Sequence, residues 1–187
     1  MRDKQPDFGQ RYPRLHAARH HPLFRWIDAR FVHRPKIYIG QAILAGLALI
    51  GVLIAEDALT NGAIVAAIAS SVAIVFFIPH SVASNPVRLV GGHLVAIVAG
   101  ACTVGILMLV PEAVAANKYM IHSMQGMSLA LVILFMTITN TEHAPAAGTA
   151  LGLATSMPMD SVLFIVSASL LVAILRIILS KHLHNLI

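Results

Sequence analysis

The chain has 187 residues, 58% of them apolar and only 11% charged. Soluble domains are about a quarter charged, so the composition argues against a soluble globular enzyme, and its hydrophobicity excludes disorder. Residues 1–36 hold nine of the 13 Lys+Arg and three of the 8 Asp+Glu, so the net charge of +5 belongs to a basic tail rather than to the body. The chain therefore divides into a tail, 1–36, and a transmembrane domain, 37–187. No basic stripe lies beyond the tail, and nucleic acid is not an expected partner. Cys102 is the single cysteine, which excludes an intrachain disulfide and a cysteine-based zinc site. No cleavable signal peptide is expected, because the first apolar run begins near Ile37 with no small-residue cleavage site after it.

In chain order, residues 1–21 read as polar and irregular. Pro22 to His33 reads as a short amphipathic helix with Leu23, Phe24, Trp26, Ile27 and Phe31 on one broad face. Such a helix lies in the headgroup region or packs on the protein's own cytoplasmic face. Ile37–Ala55 is the first apolar span, with Gln41 its only polar residue. Glu56-Asp57 and Asn61-Gly62 make a turn. Gly62–Ile78 is a second, slightly short span, and Pro79 to Asn85 a polar break. Pro86–Val110 is the third span, interrupted by Arg88 and His93. A loop follows from Pro111 to Lys118, then a fourth span, Tyr119–Thr139, and a second polar break, Asn140 to Ala144. Pro145–Met157 is apolar but short, and Ser161–Leu179 is the last span. A bilayer core takes about 20 helical residues, so the expected fold is an all-α polytopic membrane helical bundle of six membrane segments. Five are long and one is short or broken, and an N-terminal amphipathic interfacial helix precedes them.

Charge orients the chain. The basic tail places the N-terminus in the cytoplasm, and Arg176, Lys181, His182 and His184 place the C-terminus there too. Both termini inside require an even number of crossings, so the Pro145 segment counts as one. Five crossings is the alternative. A weak internal repeat runs through the two breaks. Phe76 and Phe135 each end an apolar run, a proline follows ten residues later (Pro86, Pro145), and a glycine-containing apolar helix follows that. Interrupted repeats are a common plan in transporters.

Three constellations can carry chemistry. Asn85-Pro86-Val87-Arg88 sets an N-cap, a first-turn proline and a guanidinium at one helix start, which points to an anion site. The competing reading is a boundary arginine on lipid phosphate. Glu142-His143-Ala144-Pro145 places two titratable groups before another helix start, where Glu142 could hold His143 protonated. The competing reading is a solvated carboxylate and an interfacial histidine. His93 follows Gly91-Gly92 inside a span, and an ionisable group at that depth is a functional candidate, or else a bond to a neighbouring helix. No metalloprotease, nucleophile-elbow or phosphate-loop motif is present, and no cofactor or metal is expected.

At these breaks the sequence resembles the HPP family of small integral membrane proteins, named for a His-Pro-Pro motif that opens a Gly/Ala-rich helix. The matching residues are Asn85-Pro86-Val87-Arg88, Gly91-Gly92-His93 and His143-Ala144-Pro145-Ala146, over roughly 37–180. Ala144 stands where the family has its middle proline, and Val87 separates Pro86 from Arg88. The resemblance implies a transporter and, by way of plant relatives, nitrite; the residues alone imply a small monovalent anion. The expectation is an inner-membrane transporter or channel, not an enzyme, working as a homo-oligomer in the lipid bilayer. Its anion-binding residues would be Asn85, Pro86, Arg88, Gly91, Gly92, His93, Glu142, His143 and Pro145. The alternatives are an intramembrane metal- or haem-binding redox protein or enzyme, and a structural or regulatory membrane subunit.

Overall fold

The computed structural model describes residues 31, 33–55 and 61–186. The polar tail, most of the expected amphipathic helix and the Glu56-Asp57 turn lie outside the described residues. Two compact units divide the chain between Gly40 and Gln41, with Leu186 belonging to the first. Within the first, the Tyr38 hydroxyl donates to the Leu186 carbonyl at 2.7 Å, and Phe31 meets the Tyr38 ring edge-on. All that follows concerns the second.

The described residues contain helices and turns and no strand. Helix α1 is Pro35–Ala55 and α2 is Gly62–Phe77, which the Asn61 side chain caps by accepting from the Ala63 N–H. Pro79 stops α2, because the residue before a proline is driven out of the helical region; Ile78 sits at φ −136°. A 3-10 turn, Val82–Ser84, leads to α3, Pro86–Leu107, with Asn85 as its cap and Pro86 in the first turn. A single turn, α4 (Glu112–Ala115), precedes α5, Lys118–Thr139. Asn140 ends α5 at φ 55°, a left-handed conformation that asparagine tolerates. Helices α6, Ala146–Leu153, and α7, Met159–Leu179, complete the chain.

Four of these, α1, α3, α5 and α7, are long and apolar enough to cross a membrane. This departs from the expected five long segments. Helix α2 has 16 residues, about 24 Å at 1.5 Å per residue, and α6 has 8, about 12 Å. The apolar run from Pro145 is helical over barely more than half the length the sequence suggests.

Side-chain bonds fix the direction of each pass. The Gln41 amide donates to the Phe76 and His184 carbonyls at 2.7 and 3.0 Å and accepts from the His184 N–H at 2.9 Å. The start of α1, the end of α2 and the C-terminal segment therefore meet at one end of the bundle. Arg176, near the end of α7, reaches the Pro79 carbonyl at 3.0 Å and comes to the same end. At the opposite end the Asn61 amide donates to the Gly152 carbonyl at 3.3 Å. The stretch from Asn140 through α6 thus runs from the first end to the second, half as a turn and half as a helix.

Helix α6 is wedged between α2 and α3, and glycines make the room. A Cβ on Gly148 would meet the Ala67 Cβ at 3.1 Å, and one on Gly152 would meet the Ile64 side chain at 2.6 Å. From the α3 side, a Cβ on Gly92 would lie 2.7 Å from the His143 Cβ, and one on Gly100 2.6 Å from the Leu153 Cβ. Lipid is as apolar as leucine, so helices in it associate through such close approach rather than through a hydrophobic drive. No α6 residue is exposed, which suits a broken segment whose frayed backbone needs protein around it. Ser128 of α5 adds a bond to the Ala150 carbonyl at 2.9 Å. By contrast α1 leaves Ile43, Leu47, Ile50 and Ile54 exposed, an apolar surface that suits hydrocarbon.

Candidate functional site

The two breaks come together at one end of the bundle, and the site lies between and below them. At the mouth, Arg88 donates through Nη1 to the Glu142 carboxylate and through Nη2 to the Asn140 Oδ1 at 2.7 Å. The left-handed turn at Asn140 aims that amide across the gap to α3. The side chains of Arg88 and Glu142 are 22% and 48% exposed, so the pair stabilises the fold by about 0–1 kcal/mol. It is a contact that can open.

Deeper, His93 of α3 and His143 of the second break are both fully buried, with ring centroids 5.4 Å apart. Between them stands the Ser71 hydroxyl of α2, 3.0 Å from His93 Nε2 and 2.9 Å from His143 Nε2. Ser71 Oγ also lies 3.0 Å from the Ala67 carbonyl. The outer ring nitrogens are engaged as well. His93 Nδ1 is 2.9 Å from Thr149 Oγ1 of α6, and His143 Nδ1 is 2.9 Å from the Ala83 carbonyl in the first break. Four segments distant in sequence thus supply one continuous hydrogen-bonded chain. A buried polar network of this kind is costly unless every member is satisfied, and here every nitrogen has a partner.

The structure sorts the expected residues into distinct jobs. Arg88 and Glu142 meet each other; His93 and His143 meet each other. Gly91 and Gly92 make room rather than bind. Added Cβ atoms there would lie 2.7 Å from Thr141 Cγ2 and from His143 Cβ, so the glycines let the second break seat against α3. Asn85 spends its side chain on the Val87 N–H at 2.9 Å. At the other helix start, the Ala146, Ala147 and Gly148 N–H groups donate to the His143, Ala144 and Pro145 carbonyls at 3.0–3.1 Å. Pro86 and Pro145 therefore shape the two helix starts, and the free N–H groups expected at the Pro145 start already have partners.

One expected interaction is corrected. Glu142 does not hold His143 protonated, because its carboxylate turns outward to Arg88 while His143 turns inward. His143 lies in the break between α5 and α6, and burial lowers its affinity for a proton below the ordinary imidazole range, with the Ala83 carbonyl working the other way. Ser71 and Thr149 were missed in the sequence. The one signal for Ser71 was a Ser-Ser pair in an otherwise apolar run, and Thr149 sat among small residues as an ordinary packing position. Among the described residues no group of three or more His, Cys, Asp or Glu side chains could hold a metal ion. The donors a redox centre would use here are two imidazoles whose four nitrogens are all engaged.

Comparison with known proteins agrees with the seam these residues form. A family model for the transmembrane region of HPP proteins matches residues 31–187, and the chain belongs to that family. It is thus a multi-pass integral membrane protein. No curated protein and no solved structure matches it.

Proposed function

We propose that this protein carries a small monovalent anion, nitrite first, across the membrane and does not transform it. The observation that supports this best is the buried His93–Ser71–His143–Thr149 chain set directly below the Arg88–Glu142 pair. Ionisable groups inside a membrane bundle are expensive and mark pathways by default. Arg88 already grips a carboxylate, and nitrite is a bent anion with the same pair of terminal oxygens. A guanidinium fork recognises that geometry. Glu142 is then a tethered occupant that an incoming anion displaces, passing from the half-exposed mouth to the hydroxyl and imidazole donors below. In this reading six segments cross an inner membrane with both termini in the cytoplasm, the stretch 140–153 being the broken crossing. Copies assemble as a homo-oligomer through faces left to the bilayer.

The test is nitrite uptake into liposomes that contain only this protein, with formate, nitrate and chloride as competitors. Uptake above protein-free liposomes is expected, with formate the strongest competitor because it shares the two-oxygen geometry. Arg88→Ala should abolish saturable uptake and Arg88→Lys should keep part of it, since lysine holds the charge but loses the fork. Uptake equal to that of empty liposomes defeats the proposal. For topology, cysteines at positions 5 and 185, in a Cys102→Ala background, should both label from the cytoplasmic side; external labelling of position 185 means an odd number of crossings.

A further inference from the structure

Counting protons along the buried chain yields more than its geometry. A carbonyl only accepts, so His143 Nδ1 carries a hydrogen and donates it to Ala83. With His143 neutral, its Nε2 is bare and takes the single Ser71 hydrogen. Ser71 then has only lone pairs to offer His93, so His93 Nε2 donates to Ser71 and His93 Nδ1 accepts from Thr149. One arrangement satisfies every bond, with the donors all pointing the same way: Thr149 to His93 to Ser71 to His143 to Ala83.

A second arrangement holds one extra proton. His143 becomes doubly protonated and donates from Nε2 to Ser71, and the Ser71 hydrogen turns either to His93 Nε2 or to the Ala67 carbonyl, 3.0 Å away. In the first case a proton can pass. The His143 Nε2–H bond breaks as a new O–H bond forms on Ser71, while the original Ser71 O–H bond breaks as an N–H bond forms on His93 Nε2. His143 is left neutral and His93, which holds its Nδ1 hydrogen against Thr149, becomes the cation. No oxidant or further reactant is needed.

We propose that His143, Ser71 and His93 form a proton relay at the centre of the bundle, and that the relayed proton accompanies the anion. The second half rests on the carrier reading above; the first does not. The surroundings leave these two imidazoles as the groups that titrate there. Helices α2 and α6 contain no titratable side chain. The first break offers His80, which is exposed. Helix α3 adds Arg88, and the second break adds Glu142, which are bound to each other at the mouth. Helix α5 carries Lys118, Tyr119 and His122 in its first turns. Helix α7 carries Asp160 in its first turn and Arg176 in its last, the latter on the Pro79 carbonyl.

Nitrogen-15 NMR of histidine-labelled protein in lipid reads both rings directly, with His93→Gln and His143→Gln to assign them. At neutral pH His93 should be protonated on Nε2 and His143 on Nδ1. On acidification both rings should shift with one common midpoint, as one proton is shared. In Ser71→Ala the common midpoint should split in two, and Ser71→Thr, which keeps the hydroxyl, should restore it. Wild-type rings that titrate independently, or one ring that holds its tautomer throughout, overturn the relay whether or not any variant folds. For coupling, nitrite uptake by wild-type proteoliposomes, corrected for protein-free liposomes, should follow a pH gradient and ignore membrane potential. Ser71→Ala should lower it at least about tenfold. Uptake driven by potential, with shared titration intact, overturns coupling and leaves the anion carrier standing. Shared titration without any uptake overturns the carrier reading and, with it, the accompanying proton.

Discussion

The two breaks look alike in sequence and are held in opposite ways. The first, between α2 and α3, is largely satisfied from within. The Ser84 hydroxyl lies 2.8–3.0 Å from the Ile78, Pro79 and Ser81 carbonyls, and the helix after it is 22 residues long with one face exposed. The second, between α5 and α6, leans on the rest of the molecule. His143 bonds to Ser71 and Ala83, Thr141 lies against Gly91, and the helix after it has 8 residues, none exposed. A locally closed break is a structural device. A break closed only by distant partners couples those partners, and that coupling makes the second one suited to function.

The contrast is most sharply broken at the seam. Gly92→Ala puts a Cβ 2.7 Å from the His143 Cβ and 3.1 Å from the Thr141 carbonyl. Backbone cannot yield as a side chain can, so the loss should reach the upper part of about 1–3 kcal/mol. Gly105→Ala, which meets nothing within 4 Å, should be silent. Thermal unfolding in detergent compares the two, and equal midpoints would mean the second break is not seated on α3.

Next comes His143→Gln, which should cost about 1–2 kcal/mol by disturbing the bonds to Ser71 and Ala83. It should also remove a pH dependence. Because burial lowers the proton affinity of His143 in the fold, the unfolded chain binds the proton first as pH falls below about 6.5. Its contribution to stability is complete above that value and is lost progressively between it and the lower folded value. The difference between wild-type and variant unfolding, followed from pH 8 to 5, isolates this contribution; parallel curves would contradict the burial.

Ser84→Ala should cost about 1 kcal/mol, the net worth of a typical hydrogen bond, and leave nitrite uptake unchanged. A loss of uptake larger than the loss of folded protein would show the first break to be functional as well. The smallest expected effect on stability is from Glu142→Gln, under about 1 kcal/mol because the pair is partly exposed. Its informative readout is binding: with the tethered carboxylate neutralised, nitrite affinity should rise about two- to fivefold, the same free energy seen from the ligand's side. Unchanged or weaker affinity would remove Glu142 as a competitor at Arg88.

Composition and hydropathy alone determined that the chain is a helical membrane protein, because a bilayer demands long apolar runs with internally satisfied backbone. Prolines and asparagines marked most element ends, since Asn61, Asn85, Asn117 and Asn140 act through their own neighbours. The residues of both motifs were also visible, as unusual groups in apolar surroundings. What only the tertiary structure decided is who meets whom. Glu142 stands next to His143 in sequence and so appeared to be its partner, yet adjacent side chains in a turn point apart, and Arg88, 54 positions earlier, claims the carboxylate. Ser71 became the centre of the site because the Gly92, Gly100, Gly148 and Gly152 contacts bring α2, α3 and α6 close enough for one hydroxyl to reach two rings. Helix length was likewise decided in three dimensions: α6 can stop at Leu153 because protein, and not lipid, surrounds the backbone on either side of it.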